Sequence, residues 1–369
     1  MAISADVLAS ALQDLAPGYS ETFMKWHPLF EKLIARGGIQ TENLEGPYKQ
    51  FTVVSQGPGS TTEIVYGSEL VKGGRKQVAS SGTAYAPRLI HAFDVPRKEL
   101  DEANGAQDLA KILEKYPELA MGEFHEQLGA QLALGAGSDN LGGFPTLNGG
   151  VGDVSAGGTY NPGGIGARNG LLEQAAPASQ AGVVHALDKA TVTGWENQYE
   201  DVSSGASEDI RRKMREVYYR CQRQGKTRGK VDLILADEAS YHNYLEDLED
   251  FVQVGSVEND HSPADVRQGV KFMDATMWLE DAIDITSTAF PTNSGRSGGT
   301  SPGVMYFLNS KTFHAYTLSG EGGGGYFKTS GPFRIPEQDL FRYEIILYMG
   351  LYCDQLRANG VLTGTGFTS

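Results

Sequence analysis

The sequence predicts an α+β fold in which one long helix joins an extended, polar arm to a body of interleaved strands and helices. Three observations carry that expectation. Between Ala106 and Leu134, the residues Leu109, Ile112, Leu113, Tyr116, Met121, Phe124, Leu128 and Leu132 recur mostly at spacings of three and four. That is the period of a helix with one buried stripe. From Tyr48 to Pro96 the chain is polar, glycine-rich and extended in character. Beyond Ser207, helical stripes alternate with short apolar runs.

A chain of 369 residues holds one large domain or two smaller ones with an ample core. Its 47 glycines stand well above the roughly 7% of average usage, so turns and irregular segments are expected. Apolar residues at 40% keep it globular. The formal charge of −15 argues against a protein that wraps nucleic acid by neutralising phosphates. Cys221 and Cys353 are the only cysteines, too few for a disulfide framework or a thiolate cluster, and read as buried thiols. Met1 to Leu15 lacks the basic start and apolar core of a signal peptide. No run reaches the ~18 apolar residues of a membrane span, so a soluble protein made in the cytosol is expected.

In chain order, Ser4 caps a short helix carrying Val7, Leu8, Ala11, Leu12 and Leu15, which Pro17 stops. Ser20 starts a second, with Phe23, Trp26, Leu29, Phe30, Leu33 and Ile34 on its stripe and Gly37 and Gly38 closing it. Such short helices are marginal alone and must dock on their own body or a neighbour. Lys49 to Gln56 and Ala84 to Val95 read as strands, Tyr85, Leu89, Phe93 and Val95 of the second sharing one face. Between them lies a polar tip at Lys72, Gly73, Gly74, Arg75 and Lys76. A two-stranded ribbon with so little apolar surface is marginal, so packing against other subunits is expected to order it.

Pro117 predicts a kink or a fresh start in the long helix, and Gly135 and Gly137 end it. Residues 135–170 are glycine-dense and read as a long loop. Ser207 caps a helix with stripe Ile210, Met214, Val217 and Cys221, ending at Gly225. Val231 to Leu235 is a buried strand, and Asp237 caps the next helix with Tyr241, Tyr244, Leu245 and Leu248 inward. Strands follow at Val270 to Met273, Val304 to Leu308 and Glu344 to Met349.

No catalytic or cofactor motif survives its context. Gly299-Thr300-Ser301-Pro302-Gly303 matches the nucleophile-elbow string, but an elbow needs a strand before the serine and a helix after it. Here a loop precedes and a strand follows, and no acid lies between Ser301 and His314. Gly225-Lys226-Thr227 resembles the end of a phosphate-binding loop, yet Arg220 occupies the place of the required glycine. The histidines His27, His91, His125, His185, His242, His261 and His314 show no ligand spacing. Glu246, Asp247, Glu249 and Asp250 lack the turn of a calcium loop and read as a solvated helix face. No catalytic, cofactor or metal residue is expected; the competing enzymatic reading is an α/β hydrolase built on Ser301.

In order, the pieces resemble one family, the major capsid proteins of tailed bacteriophages. Val184-His185-Ala186-Leu187-Asp188-Lys189-Ala190-Thr191 through Trp195-Glu196-Asn197-Gln198 is similar to the opening of that family's A-domain. Val231-Asp232-Leu233-Ile234-Leu235 with the helix from Ser240 to Leu248 resembles its strand-then-helix. Gly303-Val304-Met305-Tyr306-Phe307-Leu308-Asn309 resembles another of its strands. The ending from Tyr343 to Leu362, with Cys353, Arg357, Ala358, Asn359 and Gly360, resembles its closing strand and tail.

The resemblance implies an N-terminal arm at 1–45 and an extended β-hairpin, the E-loop, at 46–85. It implies a P-domain with the spine helix at 86–137, completed by part of 326–342, and an α/β A-domain at 138–325 and 343–369. The implied function is a structural subunit that self-assembles as hexamers and pentamers into the icosahedral head around double-stranded DNA, without sequence-specific binding. An encapsulin-like compartment shell shares that fold and is the nearest alternative. Expected subunit contacts are Lys72, Arg75 and Lys76 at the E-loop tip and Phe23, Trp26 and Phe30 on the arm. Many relatives begin with a long helical extension that scaffolds assembly and is cut off. This sequence leaves no room for one before the arm at Met1, so the resemblance implies either a separate scaffolding protein, which the initiator-like Met1 favours, or a numbering that begins after processing. A portal and a decoration protein are the further partners it implies. The implied location is the virion, assembled in the host cytoplasm, with no membrane. Some relatives join an E-loop lysine to a neighbour's asparagine, which would pair Lys72 or Lys76 with Asn359. The exposed, charged tip is a poor place for that chemistry, so a non-covalent shell is expected.

Overall fold

The computed structural model describes residues 27–37, 39–42, 48–54, 79–85, 88–96, 115–116, 119–124, 128–129, 183–184, 187–188, 192, 195–202, 210–225, 229–249, 269–280, 303–318, 327–335 and 340–365. Among the described residues, helices with both ends defined are α1 (Pro28–Ala35), α2 (Ile210–Gly225) and α3 (Glu238–Glu249), and further helical residues lie at 115–116, 119–124 and 128–129. The first strands are β1 (Ile39–Glu42), β2 (Tyr48–Val54), β3 (Ala79–Tyr85), β4 (Arg88–Pro96), β5 (Val183–Val184), β6 (Leu187–Asp188) and β7 (Gln198–Asp201). There follow β8 (Leu233–Ala236), β9 (Val270–Phe272), β10 (Ala275–Leu279), β11 (Val304–Leu308), β12 (Phe313–Leu318), β13 (Phe327–Ile335), β14 (Leu340–Cys353) and β15 (Gly360–Thr363). They form two units.

The first unit takes in Met1–Pro47, Tyr85–Leu132 and Ala315–Leu351. Its sheet runs β1-β12-β14-β13, and β4 also pairs with β14. The 14-residue β14 organises it, antiparallel to β13 from Leu340 to Leu347 and to β4 from Leu340 to Tyr348. Arg342 Nε and a terminal amino group donate to Asp94 Oδ1 and Oδ2 at 2.8 and 2.9 Å, a bidentate cross-strand pair. Gly350 is needed there, since a Cβ would lie 2.5 Å from the Tyr316 ring. Pro28 opens α1 at a position where its missing N–H costs nothing, and Gly37 ends it at φ +67. Leu29, Phe30 and Leu33 are buried. Of the expected spine, residues 115–116, 119–124 and 128–129 are helical, with Met121, Phe124 and Leu128 buried as the stripe requires.

The second unit takes in Tyr48–Ala84, Ala133–His314 and Tyr352–Ser369. Its six-stranded sheet runs β7-β15-β11-β8-β10-β9. Every residue of β8 and β11 is buried, as in strands covered on both faces. On one face Ile234, Ala236, Met277, Met305, Phe307 and Leu362 cluster with Met214, Val217, Tyr218 and Cys221 of α2 and Tyr244 of α3. β15 comes close beneath α2: a Cβ on Gly360 would meet Val217 Cγ1 at 2.6 Å and Cys221 Sγ at 2.8 Å.

Three expectations are corrected. The strand expected at Glu344–Met349 within the A-domain is part of β14, which belongs to the first unit as far as Leu351 because its partners are β4 and β13. The single strand expected from Ala84 to Val95 is two: β3 pairs with β2, and β4 joins the β14 sheet. The base of the β2–β3 ribbon is also anchored within its own chain. Phe51 stacks on Tyr352 with centroids 4.5 Å apart, and Lys49 Nζ lies 5.3 Å from the centre of the same ring.

Candidate assembly surface

Helix α2 combines a buried apolar stripe with a cationic remainder. It carries six cations, Arg211, Arg212, Lys213, Arg215, Arg220 and Arg223, against one carboxylate, Glu216. Part of this charge is consumed locally. Lys213 Nζ donates to Glu200 Oε1 on β7 at 2.9 Å, and Arg220 donates to Glu200 Oε2. Burial pushes the Glu200 carboxyl up, but its bonds and proximity to Lys213 and Arg220 outweigh that and hold it below the usual range. Arg212 pairs with Glu216 at 3.4 Å. Arg215, Tyr219, Arg223 and Gln224 remain exposed on its outward side.

Helix α3 has the opposite character: Glu238, Glu246, Asp247 and Glu249 with no Lys or Arg. Asp237 caps it, as the sequence predicts. Its Oδ1 accepts from the Ser240 hydroxyl and from the Val304 amide at 2.7 Å, tying the start of α3 to the start of β11. Burial pushes the Asp237 carboxyl up, partly offset by these donors. Asn243 Nδ2 donates to the Thr365 carbonyl at 2.8 Å, which fixes the chain after β15 to the same helix.

A second polar joint holds the opposite ends of these strands. Asp232 accepts from the Ser310 amide at 2.7 Å and its hydroxyl at 2.6 Å. Asn359, fully buried, accepts from the Asn309 amide at 2.7 Å and donates to Thr312 Oγ1 at 3.0 Å and the Gln355 carbonyl at 3.2 Å. Cys353 donates to Thr312 Oγ1 at 3.6 Å, and burial pushes its thiol up to about 12. Burial raises the Cys221 thiol still further. Neither is a nucleophile at neutral pH. These groups fix the shape of the unit and offer no reacting atom.

Of the residues singled out from the sequence, Phe23, Trp26, Lys72, Arg75, Lys76 and Ser301 lie outside the described residues. Phe30 is corrected: it is 1% exposed, taken up with Leu29 and Leu33 by the chain's own core, and has no face left for a neighbour. After Gly303 the chain enters β11, where a nucleophile elbow would place a helix. His314 Nε2 lies 3.4 Å from Asp354 Oδ2, and its ring stacks on Tyr352. Among the described residues no group of three His, Cys, Asp or Glu is placed to hold a metal, and no helix is long and apolar enough to cross a membrane. Sequence reading passed over the cationic face of α2, although its run of arginines was visible.

No protein-family model matches the chain, and neither does any curated protein. Solved structures do. The subunit in the Cyanophage A-1(L) capsid asymmetric unit is 13% identical, with a TM-score of 0.57 over 90% of this chain and 92% of that one. The encapsulin of the holo-SrpI complex from Synechococcus elongatus is 11% identical, with a TM-score of 0.51 over 90% and 87%. The capsid of the native GTA particle is 9% identical, with a TM-score of 0.51 over 90% of both chains. The chain has the α+β shell fold of tailed-phage capsids.

Proposed function

We propose that this protein is the major capsid protein of a tailed phage. In this reading its copies assemble as hexamers and pentamers into the icosahedral head that encloses double-stranded DNA. The observation that carries this is the correspondence with the Cyanophage A-1(L) capsid subunit over 90% of this chain and 92% of that one. Charge supports it: at −15 the protein suits a lining on which DNA moves without sticking. Phe23 and Trp26 of the arm and Lys72, Arg75 and Lys76 of the E-loop serve neighbouring subunits. A scaffolding protein, a portal and a decoration protein complete the head, which is built in the host cytoplasm and becomes the virion shell.

The encapsulin likeness supports a second reading, a compartment shell around a protein cargo. Electron microscopy of the purified protein, with analysis of particle contents, tests both. Rings or closed shells are expected, holding DNA when isolated from a producing cell. Shells filled with a protein cargo would favour the compartment. A stable, well-folded monomer at high concentration would overturn the shell altogether.

A further inference from the structure

We propose that the outward face of α2 docks on α3 of the neighbouring copy in each ring, an arginine-to-carboxylate contact that closes the capsomer head to tail. The proposal rests on the shell reading above and names the surfaces that join adjacent subunits. Three observations support it. Arg212, Arg215, Tyr219 and Arg223, at helical spacings of three and four, are exposed along α2. Among the described residues no carboxylate lies within ion-pair distance of Arg215 or Arg223, on a protein whose net charge is −15. Glu238 and Glu246 are exposed on α3, a helix without a single Lys or Arg.

The spacing of the two faces agrees. Arg215 and Arg223 are eight residues apart, as are Glu238 and Glu246, so each pair spans about 12 Å of helix axis. Within one chain no ion pair joins Arg215 or Arg223 to Glu238 or Glu246, and both helices turn their apolar sides to the same sheet. Two complementary patches at different places on one subunit make a heterologous interface, which generates rings. Tyr219, 52% exposed between the two arginines, is the kind of aromatic that interface centres favour.

Charge reversal tests this directly, with sedimentation and electron microscopy as readouts and far-UV circular dichroism as the check on folding. Arg215→Glu with Arg223→Glu should raise the concentration needed for assembly on the order of tenfold or more. Glu238→Lys with Glu246→Lys should do the same. All four changes in one chain should restore rings and shells. An equimolar mixture of the two double variants gives the sharpest outcome. Each variant can pair only with the other, so only even-membered rings close: six-membered rings form and five-membered ones do not. Assembly of the α2 variant at the normal threshold would overturn the proposal. So would a combined variant no better than its parts. If the α2 variant assembles normally but its particles retain less DNA, the face serves phosphates and the docking is likewise refuted. Failure of the unmodified protein to form rings would instead strike the shell reading, before any variant is made.

Discussion

Asn359 has little hydrogen-bonding capacity to spare. Its Oδ1 takes the Asn309 amide, and its Nδ2 faces Thr312, Gln355 and the Cys353 sulfur, all in a buried setting. Replacing it with alanine leaves the Asn309 N–H without that acceptor, which costs about 3 kcal/mol once the lost bonds are included. A loss of that size in unfolding free energy, read as a lower urea midpoint, is expected for Asn359→Ala, and an unchanged midpoint would show that the joint carries no stability. His91 gives a prediction in pH. Burial lowers its pKa below the ordinary 6.5, with Glu123, 3.4 Å away, pulling the other way. A lowered histidine favours the neutral form in the fold. Its stabilisation is therefore complete above the unfolded value and is lost as pH falls through the folded one. Between pH 7 and 5 the unmodified protein should lose more stability than His91→Gln. Parallel pH profiles for the two would refute this.

At the scale of elements, the proposed E-loop tip is, like α2, a place where local charge and global charge disagree. Lys72, Arg75 and Lys76 cluster on a protein of net charge −15, so they are suited to acidic surface on an adjacent subunit. Changing all three to Glu should leave circular dichroism intact and impair assembly; normal shells from the triple variant would sink the idea. Which elements were legible from sequence follows from how each is buried. Helix α2 declared itself through Met214, Val217 and Cys221, and β8 and β11 through unbroken apolar runs. Strand β3, Ala-Ser-Ser-Gly-Thr-Ala-Tyr, has no apolar alternation, so its pairing with β2 left no trace in the pattern. Strand β10 was missed because its hairpin turn is Met273-Asp274, with Met273 at φ +54 where a glycine or asparagine would have signalled a turn. The placement of β14 was illegible for another reason: a strand's neighbours are not written in its own residues. The same limit explains Phe30, whose helical position was clear and whose burial in its own chain was not.

For the whole molecule the question is what would lock the proposed shell once it has formed. A covalent lock between an E-loop lysine and an asparagine needs a deprotonated amine held against an accessible carboxamide. Lys72 and Lys76 flank Gly73, Gly74 and Arg75 in the sequence, and an ordinary ammonium, with a pKa near ~10.4, stays charged at neutral pH. The acceptor side is weaker still. Asn359 is fully buried, and its amide nitrogen is already engaged by Thr312 and Gln355. An attacking amine would have to open the joint at the foot of the six-stranded sheet, forfeiting the bonds that hold β11, the turn after it and β15 together. The shell is therefore expected to be held without covalent links, by arm, E-loop and the charged faces of α2 and α3. Boiling mature particles in detergent and running a denaturing gel measures this. A single band near the 39.7 kDa of the chain is the expected result. A ladder of multimers that resists boiling would show that another asparagine, outside the buried joint, serves as acceptor and that the shell is locked after all.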